Sequence, residues 1–197
     1  MCPMACNGSL TRRSDLRGWL AVVFLIYEDS LAGGWHNCSW NTTLCTDTAN
    51  QATCTSSLAV NHTAGWAGLS LRASPAINTA GYSSIRFSVY GRANGGALVV
   101  SIQTTDSGPA SNQFVFTPTP NTWKVINVPL SALGNPGQIA RLNIMEWTGA
   151  AQPTYNLDTL RLIGKTVPAL SLTVDATAAR KPISPLIYGI NGGSATN

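Results

Sequence analysis

Charged side chains are scarce in this sequence: Asp, Glu, Lys and Arg make up 10% of the 197 residues and leave a formal net charge of +4. The basic residues cluster only at Arg12–Arg13 and Arg180–Lys181, so the continuous basic patch typical of nucleic-acid-binding proteins is missing. Also missing is any apolar run near the ~18 residues that a membrane span needs. Hydrophobic residues still make up 44% of the chain, enough to form a core. We therefore expect a folded monomer that binds neither nucleic acid nor a membrane.

Helical periodicity is absent between Trp66 and Gly164. Segments such as Ser84–Tyr90 and Ala97–Gln103 instead alternate apolar and polar residues, and Gly, Pro or Asn turn signals separate them. Regular strands with such punctuation are typical of a two-sheet antiparallel β-sandwich. The sequence thus predicts an all-β jelly roll, with a single helical turn near Ser131–Leu133. The predicted strands lie near 22–29, 35–41, 57–62, 67–73, 84–91, 97–105, 113–117, 123–129, 139–147 and 155–163.

Changes in composition divide the chain into four parts. The predicted parts are a leader or disordered N-terminus at 1–21, the β-sandwich module at 22–164, a linker at 165–169 and the truncated opening of another domain at 170–197. The apolar segment Gly18–Ile26 follows three arginines, as in a signal peptide. The alternative, which we prefer, makes Val23–Tyr27 the first strand of the sandwich.

The five cysteines lack the paired C-x-x-C spacing of a zinc site. Cys45 and Cys54 are close enough in sequence to close a short loop, and we predict a disulfide between them if the compartment is oxidising. Because five is an odd number, at least one thiol is left over, and the sequence leaves open which one. Glycosylation sequons at Asn37, Asn41 and Asn61 fit the expectation of a secreted, extracellular protein.

A pair of catalytic carboxyl groups is not apparent. Hydrolysis of a glycosidic bond normally requires two carboxyl groups that face each other across the bond. Of the eight acidic residues, Glu146 lies on a strand that we predict to be central, and its parity matches that of Leu142 and Ile144, which favours a structural role. His36 and His62 belong to no G-x-S-x-G motif, so a Ser-His-Asp triad is not indicated. We predict no catalytic residue, and whether the parent protein is a glycoside hydrolase stays open.

Strand alternation divides the residues of four strands into an inward and an outward set. The inward set is apolar and contains Leu69, Leu71, Ile85, Phe87, Val89, Leu98, Val100, Ile102, Leu142 and Ile144. If the four strands share one sheet, its opposite face presents Trp66, Arg72, Arg86, Tyr90, Gln103, Asn143 and Trp147. Aromatic rings pack on the C–H faces of sugar rings, and the polar side chains can bond sugar hydroxyls. This pattern predicts a carbohydrate-binding face; the alternative is that the aromatic side chains plug the ends of the sheet.

The order of several short motifs within residues 22–164 resembles that of the jelly-roll modules attached to secreted plant-cell-wall hydrolases. The motifs are Tyr27-Glu-Asp29, Trp35-His-Asn-Cys-Ser-Trp40, Gly65-Trp-Ala-Gly-Leu69, Ser84-Ile-Arg-Phe-Ser-Val-Tyr-Gly91, Ile126-Asn-Val-Pro-Leu-Ser-Ala-Leu133 and Tyr155-Asn-Leu-Asp-Thr-Leu160. The resemblance implies a non-catalytic module that binds a β-linked plant polysaccharide such as cellulose, xyloglucan or mixed-linkage glucan. It also makes Trp35 and Trp40 structural residues of the core. Trp123, which opens a strand after a turn, is expected in the core or at a sheet edge.

The same resemblance implies a structural calcium ion. In the resembling modules, an acid of the first strand and the Asp of the last strand hold the ion, and these positions match Glu28 or Asp29 and Asp158 here. The alternative is that Asp29 caps a turn and that Asp158 is hydrogen-bonded where its strand bulges.

Residues 170–197 resemble the start of the catalytic domain of glycoside hydrolase family 44. In that family a strand precedes a segment like Ile183-Ser-Pro-Leu-Ile-Tyr-Gly-Ile-Asn191. The resemblance implies that the module targets a tethered hydrolase to its polysaccharide. Two alternatives stay open: an accessory domain of an endoglucanase that only packs against the catalytic barrel, or an adhesive or structural sandwich without a sugar ligand.

Overall fold

The computed structural model describes residues 13–14 and 20–166, with side chains from residue 22 onward. The chain divides into two compact units, 1–167 and 168–197, and everything below concerns the first. The predicted hydrolase-like opening at 170–197 lies outside the described residues, as do most of the predicted leader and part of the predicted linker. The predicted domain boundaries therefore stay predictions.

The described residues form strands and one short 3₁₀ turn. In chain order these elements are β1 (Arg13–Ser14), β2 (Leu20–Ala21), β3 (Val23–Tyr27), β4 (Trp35–Asn37), β5 (Thr42–Asp47), β6 (Ser57–His62), β7 (Gly68–Asn78), β8 (Tyr82–Gly91), β9 (Leu98–Gln103), β10 (Phe114–Phe116), β11 (Trp123–Pro129), the 3₁₀ turn (Leu130–Leu133), β12 (Gln138–Glu146) and β13 (Tyr155–Gly164). No helix among the described residues has the length and apolar character to cross a membrane.

Two antiparallel sheets pack face to face. The five-stranded sheet has the order β10-β9-β12-β7-β4, and the six-stranded sheet has the order β11-β8-β13-β6-β5 with β3 also paired to β13. The paired strands β1 and β2 form a separate small ribbon. Strands that follow one another in sequence often belong to different sheets: β7 lies in the first, β8 in the second and β9 in the first again. This arrangement confirms the predicted all-β sandwich, and the predicted helical turn is the 3₁₀ turn.

The core lies between the sheets and includes all ten predicted inward residues, together with residues of β3, β6, β11 and β13. Each of the ten has at most 1% of its surface exposed. Alternation therefore gave the correct face of β7, β8, β9 and β12. Burial of this apolar set, at about 1.5–3 kcal/mol for each large side chain, fixes which face of each strand is turned outward.

Strand β5 was not predicted. β5 is an edge strand that pairs only with β6. In its sequence, Thr-Thr-Leu-Cys-Thr-Asp, Leu44 is the apolar residue that packs against the core. Such a strand carries too little alternation to be distinguished from a loop.

The predicted disulfide between Cys45 and Cys54 is wrong. Cys45 is a free, exposed thiol, and Cys38 is also free. The register of β5 and β6 places Ala59 opposite Cys45, whereas Cys54 lies in the loop beyond the last pair of the ladder, Asp47 and Ser57. Hydrogen bonds hold β5 and β6 together as a strand pair. The loop between them keeps the sulfur atoms of Cys45 and Cys54 apart, although the two residues are close in sequence.

Candidate functional site

The outer face of the five-stranded sheet carries three rows of residues. Across β4, β7, β12 and β9 the register aligns one row of long polar side chains, His36, Arg72, Arg141 and Gln103. A second row consists of small polar residues, Ser70, Asn143 and Ser101. The third row is apolar and contains Gly68, Met145, Val99 and Val115. The face therefore changes from polar to apolar along the strands.

Three tryptophans lie at the apolar end of this face. The Trp40 ring covers Gly68 so closely that a Cβ atom at Gly68 would lie 2.5 Å from the ring. Trp40 Nε1 donates a hydrogen bond of 2.7 Å to the carbonyl oxygen of Trp66. Trp66 and Trp147 form an edge-to-face pair with ring centroids 5.3 Å apart. All three rings remain accessible, with 37% of Trp40, 54% of Trp66 and 39% of Trp147 exposed.

Glu146 fixes the two loops that carry Trp66 and Trp147. Its carboxylate is fully buried and accepts hydrogen bonds from the backbone N–H groups of Trp66, Thr148 and Gly149. Burial by itself would raise the pKa of Glu146, but these hydrogen bonds outweigh it and the pKa is lowered. The carboxylate therefore stays charged and holds both loops at the end of the sheet, in agreement with the predicted structural role.

The middle of the face is lined by small, buried polar side chains. Ser70 and Ser101 are fully buried and Asn143 is 4% exposed, although all three point away from the core. Ser101 Oγ and Asn143 Oδ1 have no hydrogen-bond partner within the protein. A buried polar atom without a partner costs free energy, but both atoms are also inaccessible to solvent, so a ligand could bond them only if the covering side chains moved.

Two arginines and an aspartate form the polar end. Asp106, from the loop after β9, pairs with Arg141 Nε at 2.7 Å and with Arg72 Nη1 at 3.5 Å. The hydrogen bond from Arg141 is the main cause of a lowered pKa at Asp106. Arg141 Nη1 also donates to Ser70 Oγ at 3.2 Å, and Gln103 Nε2 donates to the carbonyl oxygen of Gly108. This end thus offers fixed, charged donors beside the small polar floor.

No family model matches this sequence, and no curated protein matches it. The fold is similar to that of solved family 29 carbohydrate-binding modules. A variant module complexed with cellulohexaose is 14% identical, with a TM-score of 0.55 over 73% of this chain and 91% of that one. A variant complexed with mannohexaose, at 14% identity, has a TM-score of 0.54 over 73% of this chain and 92% of the module.

A family 29 module from Piromyces equi matches at 14% identity, with a TM-score of 0.53 over 74% of this chain and 91% of that module. At these identities the likeness concerns the fold. The matches cover about nine tenths of each module.

The structure brings five of the seven predicted binding residues to one face. Trp66, Arg72, Gln103, Asn143 and Trp147 belong to the outer face of the five-stranded sheet. The prediction that all seven share this face is wrong for the two residues of β8.

Those two residues, Arg86 and Tyr90, lie on the outer face of the six-stranded sheet. Their strand pairs with β11 and β13, so Tyr90 stands opposite Trp123 and the two rings lie 5.5 Å apart. Their predicted outward parity was correct. The sheet to which β8 belongs was wrongly assumed, because alternation along a strand carries no information about its neighbours.

Sequence reasoning missed three contributors to the face. Trp40 was predicted to lie in the core with Trp35, but Trp35 is buried while Trp40 lies on the outside of the sheet. Arg141 and Asp106 were not assigned to the face, although Arg141 has the same outward parity as Asn143. Gly68 could have indicated that a side chain packs on this face, because a glycine inside a strand often marks a close approach by another group. That side chain is Trp40.

Two of the three residues predicted to hold calcium accept hydrogen bonds from a single loop. Asp29 Oδ1 accepts hydrogen bonds from the backbone N–H groups of Thr55 and Ser56, at 3.0 and 2.8 Å. Asp158 Oδ2 accepts two more from the same loop, at 2.9 Å each. Burial, followed by the charges of Asp158 and Asp29, raises the pKa of Glu28. Among the described residues, no group of three or more His, Cys, Asp or Glu side chains is placed to bind one metal ion.

This arrangement matches the alternative in which the two aspartates anchor a loop. Asp158 lies where the pairing of β13 with β8 shifts register, and Thr159, the next residue, has a φ of 50°. These hydrogen bonds go to Asp29 Oδ1 and to both oxygens of Asp158.

Calcium binding by these carboxylates stays a prediction, which thermal unfolding tests. The midpoint of unfolding, followed by circular dichroism, should rise by several degrees in excess calcium chloride and fall again in excess EDTA, because a ligand that binds only the folded state stabilises it. Equal midpoints in the two solutions would contradict a calcium site and favour the loop-anchoring role of the two aspartates.

Proposed function

We propose that the outer face of the five-stranded sheet binds a β-linked plant polysaccharide, such as cellulose or another β-glucan, without cleaving it. The observation that supports this most is the combination of three accessible tryptophans at one end of the face with two partly exposed arginines at the other. Flat rings can stack on pyranose rings, and the arginines can bond their hydroxyls. The family 29 modules of similar fold, solved with cellulohexaose and mannohexaose, are consistent with such a ligand.

Binding without cleavage is favoured by the state of the acidic groups near this face. Asp106 is paired with two arginines, and Glu146 is buried under hydrogen bonds from the protein backbone. Neither group is available as a general acid that would face a second carboxylate across a glycosidic bond.

We further propose that the protein is a secreted, extracellular monomer in which this module targets a tethered glycoside hydrolase. The support is the resemblance of residues 170–197 to the start of a family 44 catalytic domain. Attachment to an insoluble substrate would raise the local concentration of the catalytic domain at the polysaccharide. Tighter binding by the module would then increase the rate of hydrolysis.

Affinity electrophoresis tests the proposed binding. The protein should be retarded in gels that contain hydroxyethylcellulose, xyloglucan or mixed-linkage β-glucan. The Trp147→Ala variant should lose about 1–3 kcal/mol of binding free energy, or roughly 5- to 150-fold in Kd, because a stacking ring is removed. Arg86→Ala, which alters an exposed residue of the other sheet, is the matched control and should bind normally.

Absence of retardation by every polysaccharide would contradict the proposal and favour a structural or adhesive sandwich. Equal loss of binding in the Trp147→Ala and Arg86→Ala variants would place the ligand elsewhere.

A further inference from the structure

The outer face of the six-stranded sheet contains a groove that the proposed function does not use. The groove has a volume of 340 Å³, which lies within the range of small-ligand sites. Cys45 and Ala59 form its floor on β5 and β6, and Thr43 and Asn61 form the next pair of residues along the same two strands. Arg92 closes one side.

The groove continues a row of residues that ends in two aromatic rings. Strand pairing aligns Trp123, Tyr90, Asn156, Ala59 and Cys45 across five neighbouring strands, all on the outer face. Between Tyr90 and Cys45 there are three spacings between strands, or about 14 Å. The aromatic pair and the groove are therefore separated by a distance that a short oligosaccharide covers.

The charges beside the groove cancel one another. Arg92 Nη2 pairs with Asp47 Oδ2 at 2.5 Å, and its Nε donates to Asn156 Oδ1 at 2.8 Å. Asn156 Nδ2 in turn donates to Asp47 at 2.7 Å. An anionic ligand would have to displace Asp47 from Arg92, whereas a neutral ligand could use the hydroxyl and amide groups of Thr43 and Asn61.

We propose that this groove is a second glycan-binding site, which takes a short neutral oligosaccharide with one sugar ring against Tyr90 and Trp123. The inference goes beyond the proposed function, because the two sites lie on the outer faces of different sheets and share no residue. A chain with both sites could hold two glycan strands at once. Its avidity for a fibrous polysaccharide would then exceed the affinity of either face.

Site-resolved NMR titration of the full chain tests this proposal, with cellohexaose and mannohexaose as the probes. The protein is produced in bacteria, so that the Asn61 sequon carries no glycan. The amide signals of Thr43, Asn61 and Thr154 should shift with at least one probe. They should shift with a different concentration dependence from the signals of Ser101 and Asn143 on the other sheet.

Two variants separate the sites. Thr43→Trp fills the groove and should abolish the shifts of Asn61 and Thr154, while the signals of Asn143 still respond. Trp147→Ala should have the opposite effect. If Asn143 fails to respond in the native protein while Asn61 does, the proposed function fails and the second site stands.

The free thiols give a second measurement. Cys45 lies on the floor of the groove, whereas the backbone of Cys38 bonds Ser70 at the edge of the other sheet. The bound probe should slow alkylation of Cys45 by iodoacetamide several-fold in the native protein. Unchanged amide signals at Thr43, Asn61 and Thr154 with either probe up to about 10 mM, a concentration that detects millimolar Kd values, would overturn the second site. So would unprotected alkylation of Cys45, or shifts that survive Thr43→Trp.

Discussion

Replacing Glu146 by Gln is expected to lower the free energy of unfolding by about 3 kcal/mol and to abolish polysaccharide binding. The carboxylate accepts hydrogen bonds from the backbone N–H groups of Trp66, Thr148 and Gly149. An amide offers one oxygen and turns its NH₂ group toward at least one of these donors, so a buried N–H loses its partner. Each hydrogen bond to a charged group contributes about 1.5–3 kcal/mol, and an unsatisfied buried donor adds about 1–3 kcal/mol of cost.

Urea unfolding of Glu146→Gln, with affinity electrophoresis at a temperature where the variant remains folded, measures both effects. For stability, Asp106→Asn is the matched control, because Asp106 is an exposed carboxylate and exposed ion pairs contribute little to stability. A Glu146→Gln variant of native stability that still binds polysaccharide would show that the tryptophan loops do not depend on this carboxylate.

Acidification from pH 6.5 to 4 is expected to remove roughly 3 kcal/mol of stability through His62. His62 is fully buried, its Nδ1 lies 2.9 Å from Thr42 Oγ1, and its Nε2 lies 3.3 Å from the Tyr155 hydroxyl. Burial lowers the pKa of His62 to about 4, although the charge of Glu146 acts in the opposite direction. The unfolded chain takes up the proton near pH 6.5, the folded protein only near pH 4, and stability is therefore lost as the pH falls through this interval.

The measurement is the free energy of unfolding in urea at several pH values for the native protein and for His62→Gln. The difference in pH dependence between the two isolates His62 from the carboxyl groups, which titrate in the same range. His36→Gln, at an exposed histidine of β4, is the matched control for the loss of a histidine. A profile for His62→Gln that parallels the native one down to pH 4 would contradict the assigned titration.

Alternation predicted the fold and the inward residues because burial acts on each strand separately. Leu69, Phe87 and Ile144 must all face the core, whichever strands lie beside them. The assignment of strands to sheets depends on pairings between residues far apart in sequence, such as Tyr90 with Trp123, and a single strand carries no trace of them. Arg86 and Tyr90 were for this reason placed on the wrong sheet.

The segment around Trp40 could not be interpreted by alternation at all. It follows the three-residue strand β4 and precedes the unpredicted edge strand β5, so no periodic pattern surrounds it. The position of Trp40 is set by a distant glycine and by the carbonyl group of Trp66, which are contacts of the folded state. The resemblance to known modules gave the correct fold here but the wrong location for this ring.

The contact between Trp40 and Gly68 links two positions that are 28 residues apart in the sequence. Because any Cβ atom at position 68 would collide with the indole ring, a change at one position can be tolerated only if the other changes with it. In a set of homologous sequences, an aromatic residue at the first position and glycine at the second should therefore be gained and lost together. Such covariation would trace the inheritance of this aromatic surface even among relatives too divergent to be recognised by overall identity.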